Sequence, residues 1–245
     1  TAQLIEARSD SHLWSESYDR ELNDIFFVQE EIAAAISDVL KVKLALVAVA
    51  EQGPTVIRTA NIEAYEAYLR GRELVHLRGR ENLEAAVREL ELSLRLNEEF
   101  APAHAQLAIA TTLMVDDLNS YGPLSLEEVK RRAIPHLDRA QELEPGLAEV
   151  YGGRALLAIS TGDLESAIMH ARKALVLNPS DLDAMSWLYL ALGTVGRYEE
   201  ADATLKHILE LDPLSIIGRI NYIGWLCNRG RVREAHDMAD LLLEQ

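Results

Sequence analysis

The chain has 245 residues, 49% of them apolar, and carries 24 Lys and Arg against 40 Asp and Glu, a formal net charge of −16. That length allows one or two domains, and the composition excludes a disordered or collagen-like chain. The charge argues against nucleic acid as the main partner, since phosphate binding needs clustered Lys and Arg; the one cysteine, Cys227, excludes an intrachain disulfide and any CxxC motif.

Residues 1–20, TAQLIEARSDSHLWSESYDR, hold two short runs of strand formers, TAQLIEA and SHLWSESY, separated by ARSD. This pattern predicts a β-hairpin. Two strands alone are marginal in water, so the hairpin reads as the remnant of a truncated α/β domain, and the chain as a fragment of something longer. Residues 21–60 predict one long helix followed by a linker. Ile25, Val28, Ile32, Ile36, Val39 and Leu40 recur at helical spacing over 22–48, with Asn23 or Asp24 as N-cap, and EQGPTVIRTA breaks the pattern. The longest apolar run, LALVAVA after Lys43, falls well short of the roughly 18 residues of a bilayer span.

From residue 61 the chain keeps a period. Pro145, Pro179 and Pro213 stand 34 residues apart, as do Gly162, Gly196 and Gly230, and likewise Ala133, Ala167, Ala201 and Ala235. Three residue types sharing one interval mark a stacked-repeat architecture. Each glycine sits where one helix must end and the next begin almost at once, a C′ site that favours positive φ. The alanines allow close helix approach, and the prolines cannot continue a helix. Each unit therefore predicts helix A, tight turn, helix B and stop.

Five units follow, over 61–100, 101–145, 146–179, 180–213 and 214–245. The first carries Tyr65, Tyr68, Leu69, Gly71, Ala86, Leu90 and Leu94, with Glu98 where later units have proline. Six arginines crowd it (Arg70, Arg72, Arg78, Arg80, Arg88, Arg95), interleaved with glutamates. This reads as a helix surface laced with ion pairs, and alternatively as a docking patch for an acidic partner. In the second unit VDDLNSYGPLSLEE replaces the turn; Ser125 and Glu128 predict a capping box, and Pro135 should kink helix B. The fifth unit ends at LLLEQ before its proline, so its packing face should be exposed and the chain ends should self-associate, giving a homodimer.

Helix–turn–helix units of this period, with aromatic, Gly, Ala and Pro in that order, resemble the tetratricopeptide repeat over roughly residues 61–245. The resemblance implies an all-α right-handed superhelix of antiparallel helix pairs. It also implies a concave groove, lined by helices A, that receives a protein or peptide segment. Carried onto this sequence, the groove positions are Ala105, Ile109 and Thr112 in the second unit; Glu149, Gly152, Leu156 and Ser160 in the third; Asp183, Ser186, Leu190 and Thr194 in the fourth; and Ile217, Ile220, Gly224 and Asn228 in the fifth. The Lys, Arg and Asn with which chaperone-binding members hold a C-terminal carboxylate are missing there, so an apolar or basic segment is the better-matched ligand. The N-terminal wording HLWSESYDRELNDIF is similar to a stretch of large bacterial signalling proteins, in which an adenylate or guanylate cyclase, a DNA-binding domain or a kinase lies further toward the N-terminus. That likeness implies a cytoplasmic signalling protein; the alternative is a sensing region of a transcriptional regulator or kinase, and a third reading is small-molecule sensing in the groove.

Catalytic signatures are missing from the sequence: no GxGxxG, P-loop, G-x-S-x-G or HExxH, which predicts a segment that is not an enzyme, with no cofactor or metal. His136 and His170, 34 residues apart, should stack on adjacent helices B, but two histidines make a poor metal site. Asp116 and Asp117 read as turn chemistry, and Cys227 as a small buried hydrophobe. Tyr151, Trp187, Tyr189, Tyr222 and Trp225 are expected to pack between helices A.

Overall fold

The computed structural model describes residues 2–6, 11–16, 62–116 and 121–243, and for the first two segments, Ile62 and residues 241–243 the backbone alone. The expected helix and linker over 21–60 lie outside the described residues. The chain divides into two compact units, residues 1–59 and 60–245. In the first, β1 (Ala2–Glu6) and β2 (Ser11–Glu16) pair antiparallel, Leu4 opposite Trp14, with a register shift between Leu4 and Ile5.

The second unit is all helix in its regular structure, and ten helices are described: α1 (Ile62–Leu77), α2 (Arg80–Leu96), α3 (Ala101–Leu113), α4 (Leu126–Leu143), α5 (Ala148–Thr161), α6 (Leu164–Leu177), α7 (Leu182–Thr194), α8 (Tyr198–Leu211), α9 (Ile216–Asn228) and α10 (Val232–Leu243). They fall into pairs. The odd-numbered helices pack on both their own partner and the next odd-numbered helix, at least from α1 to α7, so they form an inner layer, with the even-numbered helices outside.

Local chemistry explains the hinges. In the last three pairs the glycine adopts a left-handed backbone (φ 79°, 84° and 71° at Gly162, Gly196 and Gly230), at no steric cost because it lacks a Cβ. The residue after it then bonds back five positions, Asp163 N–H to Ala158 O (2.9 Å), Arg197 to Leu192 (2.8 Å) and Arg231 to Leu226 (2.9 Å), closing the orphan carbonyls of the helix end. Asp181 and Ser215, one repeat apart, cap α7 and α9 by accepting from Ala184 N–H and Gly218 N–H. Ser125 caps α4 by accepting from Glu128 N–H (3.3 Å), but the Glu128 carboxylate turns to Arg131 and Arg132, so only half of the expected box forms. Helix α4 continues through Pro135.

The repeating alanines are fully buried: Ala133, Ala167 and Ala201 at 0% exposure and Ala235 at 3%. Around them pack Leu83, Leu90, Leu137, Leu192, Leu205 and Ile208, each worth about 2 kcal/mol of transfer free energy.

Candidate functional site

Helix α7 builds the centre of the candidate site. Its sequence LDAMSWLYLALGT buries Met185, Leu188 and Leu192 toward other helices and leaves Asp183, Leu190 and Thr194 at least partly open. Gly193 lets α9 approach: an added Cβ would stand 2.8 Å from the Trp225 ring. Trp225 is aimed by its Nε1–H, which donates to Asp202 Oδ1 (3.2 Å), an oxygen that also accepts from Arg231 (3.0 Å). Beside it the Tyr198 ring lies 6.0 Å away, with the Arg229 guanidinium 4.0 Å above the tyrosine, inside cation–π range.

Together these groups wall a hollow of about 590 Å³ between α7 and α9. It brings together seven of the expected groove positions, Ser186, Leu190, Thr194, Ile217, Ile220, Gly224 and Asn228. It also contains residues to which sequence reasoning gave no groove role: Tyr121, Tyr198, Arg229 and, from the α1–α2 turn, Arg78. Tyr121 comes from the insertion of the second unit, where its N–H donates to Leu113 O (3.1 Å).

A smaller hollow, about 130 Å³, is lined by Ile109, Glu149, Gly152 and Asp183 of the expected set, and by Asp181 and Trp187. Burial, then the neighbouring Asp183 and Glu149 carboxylates, push Asp181 up to about 6. Arg78 is not one of the solvated arginines expected in the first unit. It is 8% exposed, ion-paired to Asp183, and stacked 5.4 Å over the Trp187 ring, and its Nη1 donates to Val75 O (2.9 Å). Arg70 behaves as expected, paired with Glu89 at 2.9 Å on the surface.

Other expected groove residues lie inside. Ala105 is fully buried against Ala140 and Val150, Leu156 belongs to the main core, and the Thr112 hydroxyl donates to Ala108 O (2.7 Å). The cause is the placement of α3, a helix of small residues packed against α1, α2, α4 and α5, which buries twelve of its thirteen residues. Ser160, half-buried, bonds Leu156 O (3.2 Å) and lines neither hollow.

The histidine expectation needs correcting. His136 pairs with His104, Nδ1 to Nδ1 at 2.7 Å, while His170 sits beside Tyr151. Since His104 Nε2–H must donate to Glu98 O (2.9 Å), His104 Nδ1 accepts and His136 Nδ1–H donates, which requires a neutral His104 ring. Burial lowers both below the ordinary histidine range. Cys227 is exposed rather than buried, because it faces outward from α9. Asp117 lies outside the described residues; Asp116 is exposed. Among the described residues no group of three His, Cys, Asp or Glu is placed to hold a metal ion, and no helix is long and apolar enough to cross a membrane.

A family model described as tetratricopeptide repeat matches residues 148–181. Among solved structures, TTC0263 of Thermus thermophilus, a thermophilic TPR protein, aligns over 85% of this chain and 100% of its own, with 19% identity and a TM-score of 0.52. The pilF protein of Pseudomonas aeruginosa aligns over 74% and 77%, with 19% identity and a TM-score of 0.50. A Rhizobium meliloti (strain 1021) protein named "Putative adenylate cyclase 3" is 35% identical over 129 residues, 52% of this chain. The chain spans 22% of the length of that curated relative. The repeating helix pairs, their glycine hinges and these likenesses agree: residues 148–181 match the tetratricopeptide repeat, and the helical unit has the fold of tetratricopeptide-repeat proteins.

Proposed function

We propose that the helical unit is a non-catalytic scaffold that holds a protein or peptide segment against the inner face of α7 and α9. The observation that carries this is the hollow of about 590 Å³, in which apolar and aromatic walls surround a few polar groups and seven positions implied by the family resemblance come together. Tyr and Trp beside Arg are the side chains that anchor polypeptide interfaces most strongly.

The rest of the reading concerns the parent protein. The name of the cyclase relative supports a bacterial signalling protein; the N-terminal wording HLWSESYDRELNDIF is the ground for reading it as cytoplasmic, with β1 and β2 belonging to an α/β domain. A self-associating end would rest on residues 241–245, whose side chains lie outside the described set.

The test is affinity purification on the immobilised chain from the source cells, with Leu190→Glu and Ile220→Glu as controls. Both positions line the hollow without being fully buried, whereas Leu156, at 6% exposure, would report unfolding. A partner retained by the native chain and lost from both controls is expected. Equal retention by all three would refute the groove.

A further inference from the structure

The small hollow beside Trp187 has an unbalanced charge. Glu149, Asp181 and Asp183 line it, and no Lys or Arg does. Arg78 reaches only Asp183; among the described residues neither Glu149 nor Asp181 has a cation partner. The Trp187 indole, 8% exposed, lines both hollows, and its Nε1–H has no acceptor. Such a buried unpaired donor costs free energy unless something else satisfies it.

Arg78 itself shows which chemistry this place accepts. Its guanidinium combines a carboxylate with an aromatic face, the pairing for which Arg is better suited than Lys. The contact spans 105 residues of sequence, from the first repeat to the fourth, so the side chain crosses the inner surface. Arg78 is also the only described non-glycine residue with positive φ (57°), a backbone that Asn or Gly would hold with less strain.

We propose that Arg78 is a built-in competitor, filling a subsite made by Asp183 and the Trp187 face and continued by Glu149 and Asp181, which an arginine of a bound basic and apolar peptide takes over when Arg78 swings out. This rests on the groove reading above and adds the chemistry of the partner. The net charge of −16 favours a basic partner at long range, and the apolar wall around Leu190 receives the residues flanking the arginine. In the resting chain the subsite is occupied, so apparent affinity is reduced by the fraction of time that Arg78 is in place.

The experiment is fluorescence anisotropy on the full chain with fluorescein-labelled Ala-Leu-Arg-Leu-Ala-Leu-amide, beside versions carrying lysine or norleucine for arginine. Arg78→Asn vacates the subsite while tolerating the left-handed backbone, and Arg78→Gly serves if Arg78→Asn fails to keep its helical circular dichroism. The expected result is about tenfold tighter binding of the arginine peptide to Arg78→Asn than to the native chain, as for a competitor in place about nine-tenths of the time. A smaller gain is expected for lysine and none for norleucine, and adding Asp183→Asn should abolish the gain. No gain for the arginine peptide, or an equal gain for norleucine, overturns the proposal. If the peptides bind and Leu190→Glu weakens them while Arg78→Asn changes nothing, the groove survives and the arginine subsite falls. If no peptide binds any folded variant, both fall.

Discussion

Replacing Asp181 by Asn should stabilise the protein at neutral pH and do much less in mild acid. Asp181 is the N-cap of α7, accepting from Ala184 N–H at 2.9 Å, and Asn caps as well as Asp does, so the bond is kept. What changes is the buried charge. Burial and the Asp183 and Glu149 carboxylates raise the carboxyl from 3.8 to about 6. A folded pKa above the unfolded one means that the native state holds its proton more tightly. Stability from this group is therefore full below the unfolded value and lost as pH rises through about 6. At 1.36 kcal/mol per unit, the full loss is about 3 kcal/mol. The linkage relation puts about 1 kcal/mol of it already in place near pH 4.5, leaving about 2 kcal/mol to develop by pH 8. Urea denaturation of the native chain and Asp181→Asn, at about pH 4.5 and pH 8, measures this directly; other titrating groups cancel in the difference. A stability difference that stays constant between the two pH values would refute the assignment of a strained buried carboxylate.

Protonating His104 sets two Nδ1–H donors face to face, and burial lowers both His104 and His136 in the folded state. The unfolded chain then binds more protons, so the melting temperature should fall as pH drops below about 6.5, and His136→Asn should flatten that slope. Gly196→Ala places a Cβ on a backbone at φ 84° and should cost about 1–2 kcal/mol by urea denaturation, whereas Gly224→Ala, in open space, should cost well under that. Cys227, exposed on α9, should react with a thiol reagent in the native chain at the rate seen in urea; strong native protection would contradict its placement.

The helical units were legible because their causes are local. A glycine that must take positive φ, a proline that cannot donate and an alanine thin enough for helix contact act over a few residues, so their recurrence every 34 positions announces the pairs before any contact is known. The resemblance to the tetratricopeptide repeat implied part of the candidate site: Leu190, Thr194, Ile217 and Ile220 are groove positions carried over from it, and they line the hollow between α7 and α9. Ala105, Thr112 and Leu156 were carried over with them and still lie inside, because α3 and α5 are covered by neighbours whose positions no local pattern encodes.

Sequence alone thus determined the repeat, its hinges and which helices form the inner layer. Only the tertiary structure decided what that layer presents. Arg78 looks like five other arginines of its unit, and its partner Asp183 stands 105 residues away. Likewise His104 meets His136 rather than the repeat-related His170. Such meetings depend on small rotations summed from one helix pair to the next, and a period in sequence fixes the size of each step but not where the accumulated steps bring distant side chains together.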